Sequence, residues 1–220
     1  MNNLSVVIPA LNAASRLAAA LAAVARAGEL IVVDGASRDD TREVARRCGA
    51  RVIAAPRGRG AQIAAGVAAA KGEWLLLLHA DTVLQPGWEP VAGAFMSGAP
   101  LLAGYFQLRL DSQHPRARWI ERVVAWRSAR LGLPYGDQGL LLPRSLLTAI
   151  GGVRALPLME DVELARRIGR RRLVALDAQA VTSAERWERD GWTRRSARNL
   201  GCLALYFAGA SPRLLARLYR

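Results

Sequence analysis

The chain has 220 residues, of which 52% are hydrophobic and 22% charged. This length and composition suit one compact domain with its own core, and they exclude a chain that is mainly disordered. The 31 basic and 18 acidic residues give a net charge of +13, which favours contact with phosphate groups. The base composition of the genome could produce the same excess of arginine without any functional reason, so both explanations stay open.

The sequence predicts neither export nor membrane insertion. The first five residues carry no basic side chain, and Pro9 interrupts the apolar run that follows, which is unlike a signal peptide. The apolar run at residues 74–78 is far shorter than the roughly 20 residues that cross a bilayer. Cys48 and Cys202 lack metal-ligand spacing and fit a reducing compartment. We therefore expect a cytoplasmic protein, and peripheral contact with an anionic membrane surface is the alternative.

The first half of the sequence alternates short apolar strands with helices. Strands are predicted at residues 4–9, 30–33, 51–55 and 74–78, which are apolar runs that end in turn residues. Helices are predicted at residues 15–27, 39–48 and 61–70, with Ser15 as the cap of the first. This order predicts an α/β fold, with a mostly parallel central sheet and helices on both faces.

The pattern becomes less regular after Asp81. Helices are predicted at residues 86–97, 115–131, 143–150 and 160–168, and strands at residues 102–110, 173–176 and 180–183. Residues 135–142 predict a turn with a short strand, and residues 191–219 predict helix broken near Pro212. We predict one domain over residues 1–220, with a nucleotide-binding half up to residue 110 and an acceptor-binding half beyond it.

Polar and glycine residues collect where the predicted parallel strands end. In open sheets of this kind, ligands bind beyond the carboxyl ends of the strands. The basic loop at residues 57–60 would present N–H groups to phosphate, and Asp34 would accept hydrogen bonds from a base or a ribose. The candidate nucleotide-binding residues at these ends are Pro9, Asn12, Asp34, Ser37, Arg59, Gly60, His79 and Ala80.

A carboxylate at the end of the fourth predicted strand is the candidate metal ligand. Asp81 follows the apolar run at residues 74–78 and would hold Mn²⁺ or Mg²⁺ against a diphosphate. His79 is either a second ligand of that cation or a neighbour of the nucleotide. The motifs GxGxxG after the first strand and GxxxxGK[ST] are absent, which argues against a dinucleotide-binding domain and a P-loop.

The second half supplies candidates for catalysis and for acceptor binding. Asp161 opens the helix predicted at residues 160–168 and would take a proton from an acceptor hydroxyl as a general base. Acidic residues also stabilise a helix N-terminus without any catalytic role. Arg186 would bind a diphosphate and Trp187 would stack on a sugar, although a solvated charged segment is the alternative. Candidates for the acceptor or sugar site are Gly136, Asp137, Gln138 and Glu160.

Taken together, these segments resemble family 2 glycosyltransferases of the GT-A fold. The matching segments are SVVIPALNAASRL, IVVDGASRDDT, RGRGAQIAAGVAAAKGEWLLLLHADT, YGDQG, LMEDVEL and TSAERWERDGW. They span Ser5 to Trp192, nearly the whole chain. HADT with the GDQG and MEDVEL segments is most similar to a bacterial branch named for its association with radical-SAM and selenodomain proteins.

The resemblance implies an inverting transfer of a sugar from a nucleotide diphosphate sugar, commonly a UDP-sugar. It implies that Asp34 contacts the base, that Asp81 is the metal carboxylate of a DxD motif, and that Asp161 is the base of an ED motif. Arg186 and Trp187 would correspond to the arginine–tryptophan pair of many members.

Two positions depart from the family pattern. His79 stands where the first acid of DxD is usual, and Ala13 stands where an acid usually follows Asn12. Three alternatives therefore remain, namely a nucleotidyltransferase of related fold, a catalytically silent sugar-nucleotide binder, and a peripheral membrane protein. The acceptor, a small molecule or a lipid, and the oligomeric state are not predicted. No nucleic-acid partner is expected, because the arginines are scattered and no recognition motif is present.

Overall fold

A computed structural model describes residues 1–219 of the chain. In its first half, strands alternate with helices as the sequence predicts. The elements are β1 (Leu4–Ala10), α1 (Ala14–Ala23), β2 (Glu29–Asp34), α2 (Thr41–Arg47), β3 (Arg51–Ala54), α3 (Arg59–Ala69) and β4 (Trp74–Leu77).

The second half is more helical and contains the longest strands. Its elements are β5 (Thr82–Leu84), α4 (Trp88–Gly98), β6 (Ala103–Asp111), α5 (Pro115–Leu131), β7 (Leu140–Pro143), α6 (Arg144–Ala149), α7 (Glu160–Ile168), β8 (Leu173–Ser183), α8 (Glu185–Asp190), α9 (Trp192–Phe207) and α10 (Pro212–Leu218). Two 3₁₀ turns lie at Gly136–Gln138 and Arg170–Arg172. Within residues 1–219, none of these helices combines the length and apolar character that a membrane crossing requires.

The strands form one mixed sheet in the order β3-β2-β1-β4-β7-β6-β8-β5. The first four strands are parallel to one another, as predicted. β7 enters antiparallel between β4 and β6, and β6 then pairs parallel with β8. The strand predicted at residues 102–110 is therefore present as β6, with one antiparallel and one parallel neighbour.

Two apolar layers cover the two faces of the sheet. Alternate side chains of β1 point to opposite faces, since successive residues of a strand alternate. Leu4, Val6 and Ile8 pack with Leu17 and Leu21 of α1 in one buried cluster. Val7, on the other face, packs in a second cluster with Ile63 of α3. The predicted α/β architecture with helices on both faces is confirmed.

Several boundaries differ from the predictions because tertiary contacts set them. α1 begins at Ala14, so Ser15 lies inside the helix and is not its cap. The side chains of Thr41 and Asp39 instead accept hydrogen bonds from the N–H groups of Ala13 and Ala14, which satisfies the free donors that every helix start presents.

Three elements were missed or divided. The short strand β5 pairs antiparallel with β8, and three residues are too few to give a periodic pattern. Residues 173–183 form one strand, and not two, because pairing with β6 continues across the polar residues Asp177 and Gln179 after a register shift. The charged segment at residues 185–190 is the helix α8.

Candidate active site

A cavity of about 180 Å³ lies beside the carboxyl end of β4. Its walls come from the start of α3, the turn after β4, the 3₁₀ turn before β7, the start of α7, and helices α5, α8 and α9. It brings together seven of the residues singled out from the sequence, which are Arg59, His79, Asp81, Asp137, Asp161, Arg186 and Trp187.

Asp161 is held at the wall of this cavity by two backbone donors. Its Oδ2 atom accepts from Gly136 N at 3.0 Å, and its Oδ1 atom accepts from Val162 N at 2.8 Å. Met159, which precedes the helix, has a positive φ of 64° and turns the chain into α7. An ionised carboxylate has about four acceptor sites, so Asp161 keeps acceptor capacity for a substrate proton.

Gly136 is required at its position by the approach of His79. A Cβ atom added at residue 136 would fall inside contact distance of Nε2 of His79. Only glycine therefore lets the same residue pass the histidine ring and donate its N–H to Asp161. This explains the GDQG segment better than turn chemistry alone does.

His79 faces the guanidinium of Arg59 and not a carboxylate. Its Nε2 atom is 3.3 Å from Nη1 of Arg59. Because arginine can only donate, we assign Nε2 as the acceptor and place the ring proton on Nδ1. Burial and the neighbouring Arg59 lower the pKa of His79 to about 4. In this arrangement Nε2 is occupied by Arg59, and the role of His79 as a second metal ligand stays a prediction.

Glu160 lies behind Arg59, away from the cavity wall. Its carboxylate is 2.8 Å from Nε of Arg59, and the side chain is 3% exposed. Burial raises the pKa of Glu160 to about 7, against the opposing effect of Arg59. The side chain lies where it orients Arg59, and its contact with an acceptor or a sugar stays a prediction.

Asp81 is positioned by the pairing of β5 with β8, which was not predicted from the sequence. It immediately precedes β5, where the hydroxyl groups of Thr82 and Thr182 lie 2.8 Å apart and are buried. Its carbonyl oxygen also accepts from Ser183 N. The turn after β4 is therefore clamped between β4 and β8, with the Asp81 side chain at the cavity.

The donor set fits a divalent cation that shares its ligands with a substrate. Within residues 1–219, no cluster of three or more His, Cys, Asp or Glu side chains could hold a metal by itself. Mg²⁺ commonly takes one or two carboxylates and completes its shell with phosphate oxygens and water. Asp81 supplies such a carboxylate, and the buried Oδ1 atom of Asp137, which has no partner, is a second acceptor on the same cavity.

The other residues predicted for the acceptor site have structural partners. Gln138 is 1% exposed, and its amide group bonds the Ser128 hydroxyl and the Phe106 carbonyl. It lies outside the cavity wall and holds the 3₁₀ turn against α5 and β6. Gly60, which we predicted to bind nucleotide, lies close to the backbone of Leu156, and an added Cβ would be 2.6 Å from backbone atoms of that residue. The close packing explains a glycine at this position, and nucleotide binding by Gly60 stays a prediction.

The loops after β1 and β2 are joined to each other at some distance from these groups. Asn12, with a φ of 50°, donates its backbone N–H to Ser37 Oγ, and its side-chain Oδ1 atom accepts from Arg38 N. Asp34 is fully buried and pairs with Nε of Arg42 at 2.6 Å.

These contacts determine the ionisation of Asp34. Burial alone would raise its pKa, but hydrogen bonds from Ser37 and Arg42 outweigh burial and hold the pKa below its ordinary value. Pro9 and Ala80 are buried in the strand end and the turn that flank this region. Asn12, Asp34 and Ser37 do not line the cavity, so a ligand touching both regions must span the strand ends.

Several further cavity residues were not identified as site residues from the sequence, among them Arg127, Tyr135, Arg195 and Tyr219. Arg127 lies flat over the ring of Tyr135, with 3.4 Å between the guanidinium carbon and the ring centroid. Arg195 donates to Asp190 and to the hydroxyl of Tyr219. No local motif marks these residues, because α5, α9 and the segment after α10 meet only in the folded chain.

The sequence that forms the first part of this site matches a known family. The family model described as glycosyl transferase family 2 matches residues 5–133, more than half of the chain. The chain belongs to glycosyl transferase family 2. The matched segment contains β1 to α5 with Arg59, His79 and Asp81, whereas Asp137, Asp161, Arg186 and Trp187 lie beyond it.

Curated relatives support this family assignment. Uncharacterized glycosyltransferases of Mycobacterium tuberculosis and Mycobacterium bovis are 36% identical to this family 2 chain over 140 residues. The match covers 60% of the chain and 63% of each relative. The chain thus spans less than two thirds of the length of these relatives.

Solved structures show the same GT-A fold. A mannosyltransferase from Pyrobaculum calidifontis, solved with GDP-Man and Mn²⁺, has a TM-score of 0.69 and 19% identity. The match covers 99% of the family 2 chain and 68% of that protein. A glucosyl-3-phosphoglycerate synthase from Mycobacterium tuberculosis, solved with Mn²⁺, uridine diphosphate and glucosyl-3-phosphoglycerate, has a TM-score of 0.57 and 19% identity, over 82% of this chain and 70% of that one.

Proposed function

We propose that this family 2 protein transfers a sugar from a nucleoside diphosphate sugar to an acceptor hydroxyl, with Asp161 as general base. The observation that carries the proposal is the anchored carboxylate of Asp161, which shares one cavity with Asp81, Arg59 and Arg186. A base, a metal carboxylate and two cations on one cavity are the groups that phosphate-linked sugar transfer needs.

The donor would lie across the strand ends. Its base and ribose would lie near Asn12, Asp34 and Ser37, and its diphosphate would reach Arg59 and Arg186. Because Asp34 already pairs with Arg42, it would present to the base a carboxylate fixed in one orientation. UDP is the favoured nucleotide because the family resemblance implies it, and solved proteins of the same fold include complexes with uridine diphosphate and with GDP-Man.

Asp81, with Asp137 beside it on the cavity, would hold Mn²⁺ or Mg²⁺. The cation would neutralise charge on the leaving nucleoside diphosphate. Arg59 and Arg186 would add fixed positive charge at the same group, and the ion pair with Glu160 keeps Arg59 in place. Trp187, half-buried at the rim, would cover the sugar.

Asp161 would remove the proton of the acceptor hydroxyl as its oxygen attacks the anomeric carbon. The new glycosidic bond forms as the bond to the diphosphate breaks, so the configuration at that carbon inverts. The proton passes to Asp161, and the electron pair of the broken bond leaves with the diphosphate. The inversion is tested by comparing the anomeric configuration of the product with that of the sugar donor, as read from NMR coupling constants.

The second half of the chain would bind the acceptor. Residues 1–110 would form the donor half and residues 111–220 the acceptor half of one domain. Exposed apolar side chains beside arginines, such as Trp119 and Leu200 at the cavity, suit a lipid acceptor at an anionic membrane surface. We further propose that the chain belongs to the radical-SAM-associated branch, on the strength of its HADT, GDQG and MEDVEL segments.

Donor binding is tested by thermal shift with UDP, GDP and their sugars, each with and without Mn²⁺. A ligand that binds only the native state raises the melting temperature by mass action. A metal-dependent shift with one nucleoside diphosphate supports the proposal, and slow release of that diphosphate from its sugar identifies the donor. Release of pyrophosphate from a nucleoside triphosphate would instead indicate nucleotidyl transfer.

A further inference from the structure

Among the buried polar atoms of the cavity wall that lack a hydrogen-bond partner, donors outnumber acceptors. Four buried polar atoms on cavity residues have no hydrogen-bond partner in the described chain, and they are Arg127 Nη2, Trp187 Nε1, Arg195 Nε and Asp137 Oδ1. Three are donors and one is an acceptor. Buried polar groups are almost always paired in native proteins, so an unpaired set that faces a cavity points to a ligand.

The two arginines also bring positive charge that the described chain leaves largely uncompensated. Arg127 has no carboxylate within 4.0 Å among residues 1–219. Its Nε atom donates to the carbonyl of Leu133, and its face stacks on Tyr135. These contacts fix the plane of the guanidinium, and its electrostatic influence on the carboxyl of Asp137 involves no ion pair within 4.0 Å.

Within residues 1–219, the only acidic partner of Arg195 is shared with two other arginines. Asp190 lies within 4.0 Å of Arg189, Arg195 and Arg198, so one negative charge faces three positive charges. Arg195 is only 6% exposed, and its guanidinium carbon is 5.9 Å from the centre of the Trp187 ring. A buried cation with a partly satisfied donor set favours an anion at this place.

The guanidinium groups of Arg127 and Arg195 are distinct from those that we assign to the diphosphate of the nucleotide sugar. Arg59 and Arg186 serve the leaving group, whereas Arg127 belongs to α5 and Arg195 to α9. Apolar side chains of Ile120, Val124 and Leu200 line the cavity beside them. The wall thus combines an anion-binding part with an apolar part.

We propose that the acceptor carries an anionic group, a phosphate or a carboxylate, bound by Arg127 and Arg195 with the indole N–H of Trp187, and an apolar body against α5 and α9. This inference rests on the proposed function, because it assigns the acceptor site of that reaction. It makes Arg127 a determinant of acceptor specificity that leaves donor binding unchanged.

The test measures phenyl phosphate binding by calorimetry, with the donor site saturated with UDP and Mg²⁺. Phenyl phosphate joins an anion to an apolar ring, and phenol is its uncharged counterpart. We expect the wild type to bind phenyl phosphate and to bind phenol at least 10-fold more weakly. R127Q should lower phenyl phosphate affinity at least 10-fold, as expected for loss of a charge-assisted hydrogen bond.

Matched variants separate this site from general charge. R122Q removes an exposed arginine of the same helix that lies outside the cavity wall, and it should change affinity less than 2-fold. R127K keeps the charge but loses the stacked planar group, and it should bind with intermediate affinity. R127K replaces R127Q in the test if R127Q unfolds at too low a temperature for binding to be measured. Arg195→Lys tests the second arginine in the same way.

A parallel arm distinguishes a soluble ester from a lipid headgroup. Cosedimentation with phosphatidylcholine vesicles, with and without phosphatidic acid, shows whether the anion is taken from a membrane. Binding of either probe that is lost in R127Q and kept in R122Q supports the inference. Failure of both probes to bind, or equal binding by R127Q and wild type, overturns it.

The thermal-shift measurement of nucleotide binding is interpreted separately from the measurements with phenyl phosphate and vesicles. A UDP shift that depends on metal, with no phenyl phosphate or phosphatidic acid binding, would reject the acceptor site and leave the proposed function standing. Binding that depends on Arg127 without any nucleotide binding would reject the donor assignment and leave the anion site standing.

Discussion

The backbone N–H of Gly136 donates to Oδ2 of Asp161 at 3.0 Å. This bond joins the turn before β7 to the first turn of α7, and it fixes the carboxylate that we propose as the base. The absence of a side chain at Gly136 makes room for His79. One glycine therefore positions the candidate base and admits the histidine that accompanies Arg59.

Replacement of Asp161 should remove transfer while leaving the donor bound. D161N keeps the shape of the side chain but is far too weak a base, so the rate should fall about 10²- to 10⁴-fold. Thermal shift with UDP should match the wild type. E89Q, which changes an acidic residue in the first turn of α4, is the control for a helix-end effect. Full turnover by D161N would exclude Asp161 as the base.

Replacement of Asp81 should remove the metal dependence of nucleotide binding. In D81N the carboxylate that we assign to the cation is gone, so Mn²⁺ should no longer increase the thermal shift given by UDP. D177N, at an exposed site of β8, should respond to Mn²⁺ as the wild type does. A preserved Mn²⁺ effect in D81N would place the cation elsewhere.

Alanine at position 136 should destabilise the protein and slow transfer. The added Cβ collides with the His79 ring, and overpacking of this kind costs about 1 to 3 kcal/mol. G93A is the control, because nothing lies within 4 Å of a Cβ added at that position in α4, and it should stabilise by about 0.5 to 1 kcal/mol. Chemical denaturation gives both values.

The collision can be tested by removing its other partner. If the His79 ring is the cause, adding G136A to H79A should lower the free energy of unfolding much less than adding G136A to the wild type does. An equal loss in both backgrounds would show that the backbone of residue 136, and not the ring, is responsible.

The pH dependence of stability should report the buried carboxyl of Asp137. Burial raises its pKa to about 6, Arg127 opposes the rise, and Asp161 adds to it. A raised pKa means that the folded state holds the proton more tightly than the unfolded chain. The contribution is therefore present at pH 4 and is lost as pH rises through 6.

Substitution of this carboxyl should flatten that profile. Measured without metal or nucleotide, D137N should be more stable than the wild type at pH 7, by about 1 to 3 kcal/mol, and equal to it near pH 4. Transfer should decrease in D137N, because the carboxylate that we assign to the divalent cation together with Asp81 is then missing. The exposed D177N should leave the pH profile unchanged, and a D137N profile with the wild-type slope would contradict the assignment.

The first four strands and their crevice could be predicted because each is coded locally. Continuous apolar runs such as those of β1 and β2 have few other stable places than the middle of a parallel sheet. Parallel strands end at the same edge, so the grouping of Arg59, His79 and Asp81 followed from their positions after strands. The helix that begins at Glu160 was likewise visible from its acidic start.

What the sequence alone determined is the fold class, the order of most elements and the strand ends that face the cavity, since these depend on patterns within short segments. The tertiary structure alone decided the insertion of β7, the pairing of β5, the Arg59–Glu160 ion pair and the arrival of Arg127 and Arg195 at the cavity. Such contacts join residues far apart in the chain, and packing energy rather than local preference selects them.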